Sequence, residues 1–375
     1  MTMRKQQGSR LKRASAAAVA ALTLWTVSTA AMAATPSDAV RSLREEGALV
    51  LLRLERADLL AREELSLPGW LALRAVPLLR SRRAPDDAAQ DAPDRAPEEP
   101  DSSVSPAPDA PPPLSGADNG LPARTLRPAG TDGYLARGSV LVANAGAAAL
   151  TEADLEGAPT AVLTGDAPQV LIVHTHGSEA YTMPPGEEYV PSDDHRTTDK
   201  SYNVVRVGDE IERVLTEAGI GVIHDRELYD YPQYSGAYGR SLAAIERRRA
   251  EYPSLVFILD VHRDAMEDAD GRQLRTVCAE RPDTAQMEFV IGSDGGGADH
   301  PRWRENLRLA SAVQETLLAD YPTLMRPITV RSSRYNQHVS TGSLLLEVGA
   351  AGNTLDEALA AARLFAEGFA AALQG

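Results

Sequence analysis

The run Val170-Leu171-Ile172-Val173 contains no polar residue, and the chain repeats the pattern in Leu255-Val256-Phe257-Ile258-Leu259 and in Leu344-Leu345-Leu346. Successive side chains of a strand point to opposite sides, so a continuously apolar strand has to be covered on both faces. The segments between these runs have a helical period. In "SYNVVRVGDEIERVLTEAG", Val204, Val207, Ile211, Val214 and Leu215 fall on one face and Gly219 supplies the stop. Further helices are predicted in "GRSLAAIERRRAEY", "WRENLRLASAVQETLLADY" and "TLDEALAAARLFAEGFAAALQ", and further strands in "GSVLVANA", "IGVIHD" and "QMEFVIGS". This alternation predicts an α/β domain over residues 129–375: a mixed, mostly parallel sheet with helices on both faces.

The rest of the chain has a different character. A basic head, "MTMRKQQGSRLKR", precedes an apolar run free of charge from Ala14 to Ala33, which closes on Ala31-Met32-Ala33. Residues 1–34 therefore read as a signal peptide or a membrane anchor, and the bulk of the protein is expected to be exported. Residues 35–82 read as an amphipathic helical segment carrying Leu43, Leu49, Leu52, Leu54, Leu59 and Leu60. Residues 83–128, rich in Pro, Asp and Ala, read as a disordered linker. A net charge of -15 speaks against nucleic acid, which is bound through basic stripes. Cys278 is the single cysteine, which excludes a disulfide framework and a thiolate-rich metal site. A metal would have to be held by imidazole and carboxylate.

Three predicted strands end in groups that a core would not choose. His174-Thr175-His176 follows Val173; Asp260, His262, Arg263 and Asp264 close the second apolar run; and Glu347 follows Leu346. In open α/β sheets, ligands gather beyond the carboxyl ends of strands. Imidazoles and carboxylates from separate strand ends are the usual way to hold a catalytic zinc, with a fourth position left for water. A further carboxylate beside that water can act as general base. The plainer alternatives are a strand-end histidine with a structural partner and a Glu347 that pairs with an arginine. His195, His224, His300 and His338 each stand alone and read as surface or loop residues. No G-x-S-x-G elbow is present.

The stretches "VLIVHTHGSEAYT", "RTTDKSYNVVRVGDEIERVLTEAGIGVIHDR", "LDVHRDA" and "RYNQHVSTGSLLLEVGAAGNTLDEA" together resemble the stage II sporulation protein P family, over about residues 130 to 375. The resemblance implies a peptidoglycan hydrolase with N-acetylmuramoyl-L-alanine amidase activity, and endopeptidase activity as well. It also implies a role in septal thinning and engulfment, on the extracytoplasmic face of the cell membrane, with stage II sporulation proteins D and M as partners. More distantly, the segment is similar to zinc-dependent cell-wall amidases. Carried over on "HG", "DKSYN", "DVH" and "EVGAAGN", that similarity makes His176, Asp199 and His262 the Zn2+ ligands and Glu347 the general base.

Within these motifs, His174 is the alternative to His176, and Glu179 is a further carboxylate in reach of a metal or an imidazole. Asp199 stands where the amidase motif has Glu, and it also suits a carboxylate near a helix N-terminus. Arg263 or Asn336 would stabilise the oxyanion. Arg334 and Asn336, in Arg334-Tyr335-Asn336-Gln337, line a substrate groove or form a polar loop. Two other classes stay open: a non-catalytic wall-binding scaffold, and a different exported metallohydrolase such as a polysaccharide deacetylase.

Overall fold

The computed structural model describes residues 116–374 apart from Asp166. The signal or anchor, the 35–82 helical segment and the linker up to residue 115 lie outside the described residues. Eight strands form one sheet: β2 (Leu135–Arg137), β3 (Val140–Asn144), β4 (Val170–Val173), β5 (Val222–His224), β6 (Phe257–Asp264), β8 (Met287–Gly292), β9 (Ile328–Arg331) and β10 (Gly342–Ala350). Their order is β2-β3-β9-β8-β10-β6-β4-β5. Strands β10, β6, β4 and β5 are mutually parallel, and so are β3, β9 and β8. The two groups meet antiparallel at β8 and β10, so the sheet is mixed and mostly parallel. Two short strands, β1 (Ala123–Arg124) and β7 (Arg275–Thr276), pair separately.

Helices α1 (Val204–Glu217), α2 (Ala237–Glu251), α3 (Trp303–Asp320) and α4 (Leu355–Gln374) cover the sheet unevenly. One face, carrying Val170, Ile172, Phe257, Leu259, Leu344 and Leu346, packs with side chains of α1, α3 and α4 in the main core. On the opposite face Leu171, Val173 and Ile258 pack with Ile245 of α2 and with Leu255. Both faces carry helices as expected, three against one among the described residues. Strand alternation places Asp260 and His262 on the α2 side with Ile258. Glu347 of β10 lies in register with His262, and Glu288 of β8 in register with Glu347. The polar groups thus occupy the side of the sheet that carries the single helix.

Local chemistry explains the boundaries. Asn203 caps α1 by accepting from the Val205 N–H at 3.0 Å. The ladder between β10 and β6 slips after the Glu347–His262 pair, and Gly349 in that slip has φ +69°, which favours glycine.

Residues 116–128 correct the linker expectation, because they are tied to the domain. Asn119 Nδ2 donates to the carbonyls of Thr182 and Gly352, the Leu126 N–H donates to Gln286 Oε1, and β1 pairs with β7. Polar and backbone hydrogen bonds fix this stretch, so its lack of apolar residues misled. Among the described residues, no helix is long and apolar enough to cross a membrane.

Candidate active site

The chain leaves β4 through α1 for β5 at the sheet edge, whereas it leaves β6 for β8, beyond β10 in the opposite direction. Connections therefore diverge at the carboxyl ends of β4 and β6, which opens a crevice there. His176 enters from the turn after β4, while Asp260 and His262 enter from β6 itself.

These groups meet. The rings of His176 and His262 lie edge to face, with centroids 5.4 Å apart. Tyr234 stacks on His176 at 4.4 Å with its hydroxyl 3.1 Å from Nε2, and Tyr238 presents an edge at 5.5 Å. Glu179 Oε2 stands 3.4 Å from His262 Nδ1. The same carboxylate accepts from Arg196 Nη2 at 3.2 Å and from the Arg263 N–H at 3.2 Å. Asp260 Oδ1 lies 2.9 Å from His262 Nε2 without hydrogen-bond alignment, and Asp260 accepts from the N–H and hydroxyl of Thr175. His176 Nδ1, His262 Nε2 and Glu347 Oε2 are covered from solvent and lack an aligned hydrogen-bond partner.

The electrostatics separate the groups. Burial pushes the His176 imidazole down to about 3, so the ring is neutral with a lone pair to offer. Burial acts the same way on His262, but the Asp260 and Glu179 carboxylates outweigh it and raise the group well above the ordinary histidine value. For Glu179, burial opposes ionisation, yet the hydrogen bond from His262 and the charge of Arg263 hold it far below the ordinary carboxylate value. Glu347 is half-buried; burial, reinforced by Asp264, pushes its carboxyl up to about 8.

Neutral imidazole nitrogen, carboxylate oxygen and buried donor atoms without partners are the chemistry of a divalent-cation site. His176, Glu179, His262 and Glu347 are neighbours, but their donor atoms are not drawn to one point. Among the described residues only Asp209, Glu212 and His224 bring such atoms within 4.8 Å of one another. There Arg226 already occupies both carboxylates, with Nε 2.8 Å from Asp209 Oδ1 and Nη2 2.5 Å from Glu212 Oε2. A guanidinium in that place supplies the positive charge a cation would bring.

Other expected site residues lie elsewhere or are already engaged. Asp199 is exposed in the turn before α1, where its carboxylate accepts from the Ser201 N–H at 2.9 Å, whereas Glu179 stands at His262. His174 is fully buried with both ring nitrogens engaged, by the Val261 carbonyl at 2.9 Å and by His224 Nε2 at 2.8 Å. The Arg263 guanidinium donates to the carbonyls of Ala180 and His195, anchoring the loops around Glu179. Asn336, at φ +56°, donates to the Tyr238 carbonyl and to Ser241 Oγ, and Arg334 donates to the Asp299 carbonyl. His224 and His300, expected at the surface or in loops, are buried; His224 closes β5, and His300 lies 3.2 Å from Asn306 Oδ1. Sequence reasoning missed Tyr234 and Tyr238; the tyrosine-rich stretch "YDYPQYSGAY" was their only signal.

Comparison with known proteins is informative at the level of sequence. The family described as "Stage II sporulation protein P (SpoIIP)" matches residues 118–370. The Stage II sporulation protein P of Bacillus subtilis (strain 168) is 28% identical over 223 residues, covering 56% of this chain and 52% of its own length. The chain thus spans about half the length of that curated relative. Among solved structures, the N-acetylmuramoyl-L-alanine amidase AmiC2 of Nostoc punctiforme aligns at 16% identity and a TM-score of 0.31, over 56% of this chain and 97% of its own. The N-acetylmuramyl-L-alanine amidase Ami1 of Mycobacterium smegmatis aligns at 15% identity and a TM-score of 0.34, over 56% and 99%.

Proposed function

Because this chain belongs to the stage II sporulation protein P family, we propose that it is an exported, zinc-dependent N-acetylmuramoyl-L-alanine amidase acting on peptidoglycan during septal thinning and engulfment. The observation that carries this reading is the set of covered donor atoms without aligned partners on His176, His262 and Glu347, gathered at the switch point of the sheet. His176 and His262 would hold the metal, with Glu179, rather than Asp199, as the carboxylate in reach. Zinc bound there would polarise a water molecule and the scissile carbonyl.

The protein's own groups supply the remaining chemistry. Glu347 takes a proton from the attacking water as its oxygen bonds to the lactyl carbonyl carbon. It returns that proton to the amide nitrogen as the carbon–nitrogen bond breaks, which leaves a lactyl carboxylate and a free L-alanine amine. A positive charge beside Glu347 restores the ionised form that burial opposes. Tyr234 orients the His176 ring, Asp260 faces His262, and Arg263 fixes the loop that carries Glu179.

The test is digestion of peptidoglycan by the purified full-length protein, with and without a chelator, read by mass spectrometry. Free L-alanine amino termini that disappear on chelation are expected. Release of acetate would instead identify a deacetylase, and an unchanged polymer would identify a wall-binding scaffold.

A further inference from the structure

Behind His176 and His262 lies a second imidazole pair that the proposed chemistry does not use. His174 follows the last residue of β4, and the ladder between β4 and β6 stops at the Val173–Asp260 pair. At the next position, where a further rung would stand, His174 Nδ1 lies 2.9 Å from the Val261 carbonyl. The ring thus extends the β4–β6 pairing by one side-chain hydrogen bond, between the residue two before His176 and the residue just before His262.

Hydrogen-bond accounting fixes the direction of both contacts of His174. A carbonyl only accepts, so His174 Nδ1 carries hydrogen and donates. Its Nε2 then accepts from His224 Nε2, 2.8 Å away. His224 Nδ1 lies 3.2 Å from Asp209 Oδ1 and 3.4 Å from Glu212 Oε2, without an aligned hydrogen bond. Arg226 holds those two carboxylates in turn. Polar contacts therefore link α1, β5, β4 and β6, with hydrogen bonds on both sides of His174. No lone pair is left on His174 for a metal.

Gly208 is the sequence trace of this arrangement. It lies within α1, where glycine is a poor choice, yet a Cβ there would sit 2.6 Å from Nε2 of both rings. The helix gives up propensity to let two imidazoles lie against its backbone.

We propose that His174 and His224, seated on Gly208, are positioning residues: they hold the carboxyl ends of β4 and β6 in register and so set the spacing of His176 and His262 for cation binding. The inference rests on the zinc reading above for its consequence, and on the hydrogen-bond geometry alone for its construction.

The test uses the full-length protein and zinc, with the dissociation constant taken from competition with a chromophoric chelator. His224→Leu should weaken zinc binding roughly 10–100-fold, as loss of a supporting contact around a metal site does. Gly208→Ala should shift it in the same direction although alanine favours a helix, and His224→Gln, which keeps a donor toward His174, should stay near the parental value. Imidazole 15N NMR of the metal-free protein reads the pair directly, with hydrogen expected on Nδ1 of His174 and on Nε2 of His224. Parental zinc affinity in both His224→Leu and Gly208→Ala overturns the proposal, as does hydrogen on His174 Nε2. If the unmodified protein binds no zinc, the amidase reading fails, and the NMR result still decides the pair. If His224→Leu does not fold, Gly208→Ala and the NMR result carry the decision.

Discussion

Two imidazole pairs lie side by side at the carboxyl edge of the sheet, and they differ in what they touch. In the inner pair, a carbonyl and a second imidazole engage both ring nitrogens of His174 and Nε2 of His224, whose Nδ1 faces two carboxylates without an aligned hydrogen bond. In the outer pair, His176 Nδ1 and His262 Nε2 are covered yet lack aligned partners, with Glu347 Oε2 in the same condition. A buried polar atom without a partner costs about 1–3 kcal/mol. His174 can therefore be explained by the fold alone, while the outer pair gains its explanation from something that binds. Counting histidines does not separate His174 from His176, but counting partners does.

The sharpest break between the pairs should come from Glu347, which belongs with the outer one by register and by its covered oxygen. Glu347→Gln is expected to lower stem-peptide release by roughly 10²–10⁴-fold, the usual range for a general base, with zinc content unchanged by metal analysis. A zinc-free variant would move Glu347 into the ligand set. Next in size is Glu179→Gln. Its carboxylate faces His262, Arg196 and the Arg263 N–H, so the change should weaken zinc retention on dialysis and activity together. It should also destabilise the metal-free protein on chemical unfolding, because Arg196 and His262 lose a buried counter-charge.

A smaller effect is read through pH. The folded carboxyl of Glu347 sits at about 8 against an ordinary 4.5. The folded state therefore holds this proton more tightly than the unfolded state does. The stability so contributed is complete below about pH 4.5 and is lost as pH rises through about 8. His262, raised for a different reason, adds a loss of the same sign above its ordinary value. Urea unfolding of the metal-free protein should show stability falling between these limits, with a weaker slope in Glu347→Gln. Zinc should flatten the slope in the parent, since a cation lowers the carboxyl and displaces the imidazole proton.

Much of the scaffold could be read in the sequence. Apolar runs at Val170, Leu255 and Leu344 became neighbouring strands β4, β6 and β10, because continuous hydrophobicity leaves few options but a covered sheet. The polar strand ends at His176, His262 and Glu347 stood out for the same reason. What could not be read was partnership. "HTH" gives its two histidines equal standing, and only the fold sends His174 inward to Val261 and His176 outward to Tyr234. His224 looked like an isolated loop residue because its partners Asp209 and Glu212 come from α1 and His174 from β4. Arg263 looked free to meet an oxyanion, and the carbonyls that engage it lie in loops far away in sequence.

The smallest expected effect bears on the carboxylate that motif matching selected. Asp199 is exposed, and its one hydrogen bond to the Ser201 N–H can be made equally well by an asparagine oxygen. Asp199→Asn should therefore change stability by no more than about 0.5 kcal/mol, and zinc content and activity should match the parent. Paired with Glu179→Gln, it turns the choice of carboxylate into a direct contrast, because each substitution removes a single charge while nearly preserving shape. Zinc lost in Asp199→Asn and retained in Glu179→Gln would mean that the turn before α1 swings inward when the cation arrives. The carboxylate in reach of His262 would then be a counter-charge for Arg196 rather than a ligand.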